Sequence, residues 1–268
     1  MENERYYASQ TYLLPADEVE QTRLQLQHEM LKEKLSGQLL PAGFIVKDGV
    51  WAVDVSNGLP KTASIVGTDI CDRLFTAATP KVTFEVQSTL TLPAAWSSTF
   101  ALAHQRLLIL AFSSSAWQQA ISELYRVLQP GGWVQIEEKD VLRVTWSDQG
   151  PVPPLTAKFL NVLCSVCRER EVGPESLLLL PEFMKAAGFE DLKVSSVRIY
   201  TGGEEGKEVR KAWIGAWRAM QGPMLKGGGA GLAKTPLEYS GLMDCLEEEW
   251  VREPFEWKFI TWTARKPM

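Results

Sequence analysis

Two short apolar runs end in residues that could move protons or bind charge. Phe100-Ala-Leu-Ala leads into His104, Gln105 and Arg106, and Trp133-Val-Gln-Ile leads into Glu137, Glu138 and Asp140. Histidine titrates near neutrality and is the usual general base, and a carboxylate can serve as acid or base. A guanidinium can bind a carboxylate or an enolate. His104, Arg106 and Glu137 are therefore the catalytic candidates, with Asp140 as a further acid/base group. Plainer roles stand beside these: a histidine that only orders a sheet end, and a surface salt bridge at Arg106. Glu137 and Glu138 are consecutive in a strand, so one faces the cleft and the other the flanking helices. Trp146, Trp213 and Trp217 could line an apolar pocket, although their helical spacing also suits a core.

Such residues act together only if strands bring their ends to one place. The spacing predicts strands at 43–46, 63–69, 81–86, 100–106 and 133–137. It predicts helices at 16–36, 49–56 and 114–128, the last stopped by Pro130-Gly-Gly132. Strand–helix alternation implies a parallel, doubly wound sheet whose ligands sit beyond the carboxyl ends of the strands. The pattern changes at Pro151, Pro153 and Pro154. Helices are expected at 156–170, 180–187, 207–221 and 236–252, and two late strands at 192–200 and 258–264. The run Lys226-Gly-Gly-Gly-Ala-Gly231 lacks the Lys-Ser/Thr of a phosphate-binding loop and reads as a loop or lid.

The chain has 268 residues, 45% hydrophobic and 23% charged, which suits one globular unit with a sizeable core. A net charge of −5 with no basic stripe gives nucleic-acid binding little support. Two histidines and four cysteines offer no metal-site spacing, and Cys164 and Cys167 read as two positions on one helix face. No segment reaches the roughly 18 apolar residues of a membrane span. The start, Met1-Glu-Asn-Glu-Arg5, lacks the apolar core of a signal peptide, so the cytoplasm is the expected compartment. The expected partner is a small-molecule substrate, with neither nucleic acid nor membrane; a homodimer is compatible with this composition.

The stretch Glu123-Leu-Tyr-Arg-Val-Leu-Gln-Pro-Gly-Gly-Trp-Val-Gln-Ile-Glu-Glu138 closely resembles the helix–turn–strand signature of class I S-adenosylmethionine (SAM) dependent methyltransferases. Tyr12-Leu-Leu-Pro-Ala-Asp-Glu-Val-Glu-Gln-Thr-Arg-Leu-Gln-Leu-Gln-His28 resembles the opening of a fungal group within that family. That group includes velvet-complex regulators of secondary metabolism and gliotoxin thiol methyltransferases. The likeness continues through Gly49-Val-Trp-Ala-Val-Asp54, Val66-Gly-Thr-Asp69 and Glu247-Glu-Glu-Trp250, and covers nearly the whole chain. It implies a Rossmann-like fold with a mostly parallel seven-stranded sheet, an antiparallel closing strand, an N-terminal helical extension and a helical cap. The implied organisation is an arm and helix at 1–40, then a methyltransferase-like domain at 41–268 with cap insertions near 151–185 and 204–252.

The resemblance also assigns sites. Asp69 takes the position of the acid that holds the ribose hydroxyls, and Gln87 and Ser88 stand where an acid usually contacts the adenine. Tyr7 and Tyr12 belong to an arm that lies over cofactor or substrate in relatives. With Trp51, Glu138, Asp140, Trp146 and Trp213 they form the expected substrate pocket. The glycine triplet that lets the backbone approach SAM is reduced to Gly49, preceded by Phe44-Ile-Val-Lys47. Where F-D is common, this chain has Phe100-Ala101. The expectation is therefore an enzyme of fungal natural-product biosynthesis acting without SAM in a cyclisation, isomerisation or pericyclic step. Two alternatives accompany it: SAM-dependent O-, N- or S-methylation of a small molecule, and a pseudo-methyltransferase acting as a partner subunit.

Overall fold

The computed structural model describes residues 6, 13–37, 39–40, 62–75, 77–140, 152–226 and 231–268. The expected strand at 43–46 and helix at 49–56 lie outside these residues. Helix α1 (Glu18–Lys34) opens on Asp17, whose carboxylate accepts the Glu20 N–H at 2.9 Å. Glu18 and Glu20 in the first turn and Lys32 and Lys34 in the last complement the helix dipole. Its buried residues are Glu20, Arg23, Gln27, Met30 and Leu31, so the face it turns inward is largely polar.

Six strands are described, in two sheets. β1 (Ile65–Asp69) pairs in parallel with β2 (Val82–Val86). β3 (Phe100–Arg106) pairs in parallel with β4 (Leu128–Lys139), and β6 (Glu256–Arg265) runs antiparallel between β4 and β5 (Glu190–Tyr200). This is the expected parallel arrangement with an antiparallel closing strand, at six strands rather than seven among the described residues. An apolar cluster of Ala63, Ile65, Val82 and Leu102, with Leu39, Leu40, Phe84 and Trp133 packed on it, joins elements of both sheets.

Helix α2 (Ser114–Val127) links β3 to β4 and buries Trp117, Ala120, Ile121, Leu124 and Val127, an apolar stripe of period 3.6. The sequence suggests a turn at Pro130-Gly-Gly132 and a strand from Trp133. Instead the strand begins at Leu128, opposite Phe100, and its register shifts before Trp133 pairs with Leu102. The glycines serve this irregular stretch. Gly131 has φ +76°, and a Cβ on Gly132 would come within 2.9 Å of the Gln129 carbonyl oxygen.

The remaining helices are α3 (Pro154–Glu169), α4 (Leu180–Ala186), α5 (Lys207–Ala219), α6 (Gln221–Lys226) and α7 (Pro236–Arg252). They share one aromatic core with the sheet. The Trp217 ring lies 4.4 Å from Phe159, 5.1 Å from Trp250 and 6.1 Å from Trp257. Cys164 and Cys167 are free thiols on α3, and burial pushes Cys167 up to about 12. No helix among the described residues is long and apolar enough to cross a membrane.

The α3 N-terminus has no cap of its own, because Pro153 stands there. Glu249 of α7 supplies one. Its carboxylate accepts the Leu155 and Thr156 N–H groups, each at 2.8 Å, and the Thr156 hydroxyl at 2.7 Å. The Trp250 indole then donates to the same hydroxyl at 2.7 Å. A buried anion at a helix N-terminus gains from the dipole and from donors that have no partner within the helix. Glu249→Ala should therefore cost about 2–4 kcal/mol in urea unfolding. Glu248→Ala, at an exposed neighbour, should stay within about 0.5 kcal/mol. Equal losses would refute the capping role.

Candidate functional site

The β3–β4 register sets His104 opposite Gln135 and Arg106 opposite Glu137. Side chains alternate along a strand, so His104, Arg106, Gln135, Glu137 and Lys139 share one face. On that face His104 Nε2 lies 3.1 Å from Glu137 Oε2, and both side chains are 2% exposed. Gln135 Nε2 donates to the other Glu137 oxygen at 2.9 Å and to the Leu39 carbonyl at 3.3 Å. Arg106 Nη2 donates to Nδ1 of His28, on α1, at 3.2 Å. The three catalytic candidates thus stand together under the polar face of α1.

Burial is the largest influence on both members of the pair. It lowers His104, and the hydrogen bond and charge of Glu137 only partly restore it. Burial alone would raise Glu137, but His104, Arg106 and Gln135 together hold its carboxyl below the usual range. The favoured state is a neutral imidazole donating from Nε2 to a carboxylate, which leaves the lone pair on Nδ1. A base with an orienting carboxylate is a recurrent catalytic unit.

Glu138 takes the opposite face. Its oxygens accept the Leu108 N–H at 2.7 Å and the Ile109 N–H at 3.2 Å, so it pins the loop that follows β3. Asp140 is fully buried, and its backbone N–H donates to the Lys258 carbonyl at 3.0 Å. Trp213 is buried on α5, its ring 3.8 Å from Lys139 Nζ. Lys139 and Gln135 carry no distinctive signal in the sequence, and His28 stands there only as the end of the opening motif. Only the strand register and the helix above it make them part of the site.

A second group lies at the ends of β1 and β2. The Asp69 carboxylate accepts the Cys71 N–H at 3.0 Å, and its backbone carbonyl accepts the Gln87 N–H at 2.9 Å. The Ser88 hydroxyl accepts the Leu90 N–H at 3.2 Å. Tyr6 lies beside this end, its ring 3.9 Å from the Arg73 guanidinium. An acidic acceptor at a strand end suits the vicinal hydroxyls of a ribose, so Asp69 fits that part of SAM. Gly49, Tyr7, Tyr12, Trp51 and Trp146 lie outside the described residues.

No family model matches the chain. It is 30% identical over 212 residues to the N-methyltransferase verN of Clonostachys rogersoniana, spanning 73% of this chain and 71% of that protein. It is 28% identical over 212 residues to the N-methyltransferase gliN of Aspergillus fumigatus, spanning 73% and 74%. A phosphoethanolamine N-methyltransferase 2 from Haemonchus contortus shares the fold, with a TM-score of 0.50 and 15% identity over 91% of this chain and 53% of that one. The architecture is thus the Rossmann-like fold of class I methyltransferases. Within that class, the chain belongs to the family of fungal secondary-metabolism methyltransferases.

Burial pushes the Glu138 carboxyl up to about 8, against its two backbone donors. Between an ordinary carboxylate value and about pH 8, the fold keeps a proton that the unfolded chain has released. Stability should therefore fall as pH rises through that window. Glu138→Gln removes the titration. Relative to this variant, the wild type should lose roughly 1 kcal/mol per pH unit between about pH 5 and 8. Parallel pH curves in urea unfolding would show that Glu138 does not titrate there.

Proposed function

We propose that this chain is an enzyme of fungal natural-product biosynthesis that acts on a small, largely apolar intermediate by base-assisted chemistry without SAM. The buried His104–Glu137 pair carries this reading. A neutral imidazole, fixed by a carboxylate and sheltered from water, can take a proton from an acidic C–H, N–H or O–H of a bound substrate. The ionised substrate then closes a ring or moves a double bond. Such steps need a shaped pocket, a base and charge stabilisation, and no methyl donor. The reduced glycine turn before Trp51 supports the cofactor-free form.

N-methyl transfer with SAM is the second reading, favoured by Asp69 at the end of β1 and by the activity named for verN and gliN. SAM would supply an electrophilic methyl group. Asp69 would hold its ribose, and His104 would take the proton of the amine or amide nucleophile.

Calorimetric titration with SAM and S-adenosylhomocysteine separates the two. No binding up to millimolar concentration is expected for the cofactor-free enzyme; micromolar binding would give the second reading precedence. His104→Ala should lower kcat about 10²–10⁴-fold, and Glu137→Gln should lower it less. Because burial holds His104 below the ordinary imidazole range, the rate should persist to below pH 6.5 before protonation removes the base. Full turnover in His104→Ala would end the base assignment.

A further inference from the structure

Lysine is almost never fully buried unless paired, yet Lys139, the last residue of β4, is 3% exposed. Its Nζ lies 3.7 Å from the ring centre of Trp257, 3.8 Å from that of Trp213 and 5.8 Å from that of Trp217. Indole faces attract an ammonium group, most strongly where water is excluded. Burial holds the Lys139 amine well below its ordinary range, and the charge of Asp140, next in the chain, restores it only in part.

The indole donors of this box lack acceptors: among the described residues the buried Nε1 atoms of Trp213 and Trp257 have none. Each buried donor without an acceptor costs about 1–3 kcal/mol, and native folds hold few of them. Two such indoles beside one buried lysine therefore point to a ligand rather than to packing. The matching chemistry is an anionic oxygen carried on a flat, apolar body. An anionic oxygen beside Nζ stabilises the ammonium form that burial opposes, and the body lies against indole rings.

The position of the box matches this. Lys139 follows Glu137 by two residues on the same strand face, a step of roughly 7 Å. The proton-accepting pair and the ammonium thus stand side by side under α1 and α5. We propose that Lys139, boxed by Trp213 and Trp257, binds an anionic oxygen (carboxylate, enolate or phenolate) of a conjugated, largely apolar substrate. This rests on the reading of that sheet face as a small-molecule site. On that reading, Lys139 meets the charge that develops when His104 removes a proton.

The test uses 1-naphthoate and its neutral isostere 1-naphthamide, followed by calorimetry and tryptophan fluorescence on the full chain. The wild type should prefer the acid. Lys139→Met should weaken 1-naphthoate about tenfold or more and leave 1-naphthamide nearly unchanged, while Lys139→Arg keeps the preference. Thermal unfolding of both variants shows that the fold persists. Equal affinity for acid and amide in the wild type would overturn the proposal, and so would an undiminished preference in Lys139→Met. Failure of 1-naphthoate to bind at millimolar concentration would overturn it too, with water then satisfying the donors. The acid preference is read from binding alone and the base assignment from turnover, so loss of either assignment would leave the other standing.

Discussion

The ends of β3 and β4 depend on one condition: every charge buried there needs a specific partner. A buried carboxylate or guanidinium without one would be expelled or neutralised. Glu137 meets the condition with His104 and Gln135, and Arg106 with His28. The second of these contacts reaches out of the sheet. It ties α1 to the site, and the same helix buries Glu20, Arg23 and Gln27. Glu20 and Arg23 neutralise each other through two bonds of 2.7–2.8 Å, so α1 can lie on a polar face without leaving a charge alone.

The opposite face uses the same rule for a different end. Glu138 takes up two backbone N–H groups of the loop after β3 and fixes where that loop leaves the sheet. Two adjacent glutamates thus divide the work: one holds His104, the other fixes the loop beside it. Lys139 follows a third course. Its amine lies against indole faces, and those rings belong to the aromatic core that binds α5, α7 and β6 together. The part of the molecule that stabilises the C-terminal half is also the part that surrounds this ammonium.

Periodicity and strand-end chemistry already located much of this in the sequence. The expected strands at 100–106 and 133–137 coincide with β3 and the middle of β4, and alternation alone separates Glu137 from Glu138. Pro130-Gly-Gly132 misled, because it reads as a plain turn while the chain pairs through it. The pairing of Leu128 with Phe100 is a tertiary fact that no local propensity encodes. Lys139 was invisible for a related reason. In the sequence it is only the residue between the cleft candidates Glu138 and Asp140, and it meets Trp213 and Trp257 because α5 and β6 close over it.

The sequence by itself determined the kinds of element, their order and the residues able to act at strand ends. Those follow from local spacing, and spacing is a property of the chain. Which of those residues touch was decided by the tertiary structure. The His104–Glu137 contact spans 33 positions, Arg106 to His28 spans 78, and Lys139 meets a tryptophan from helix α5 and another from strand β6. Such contacts depend on strand register and on which helix covers which face. Burial then sets the protonation of the groups it encloses, and burial is a property of the folded assembly alone.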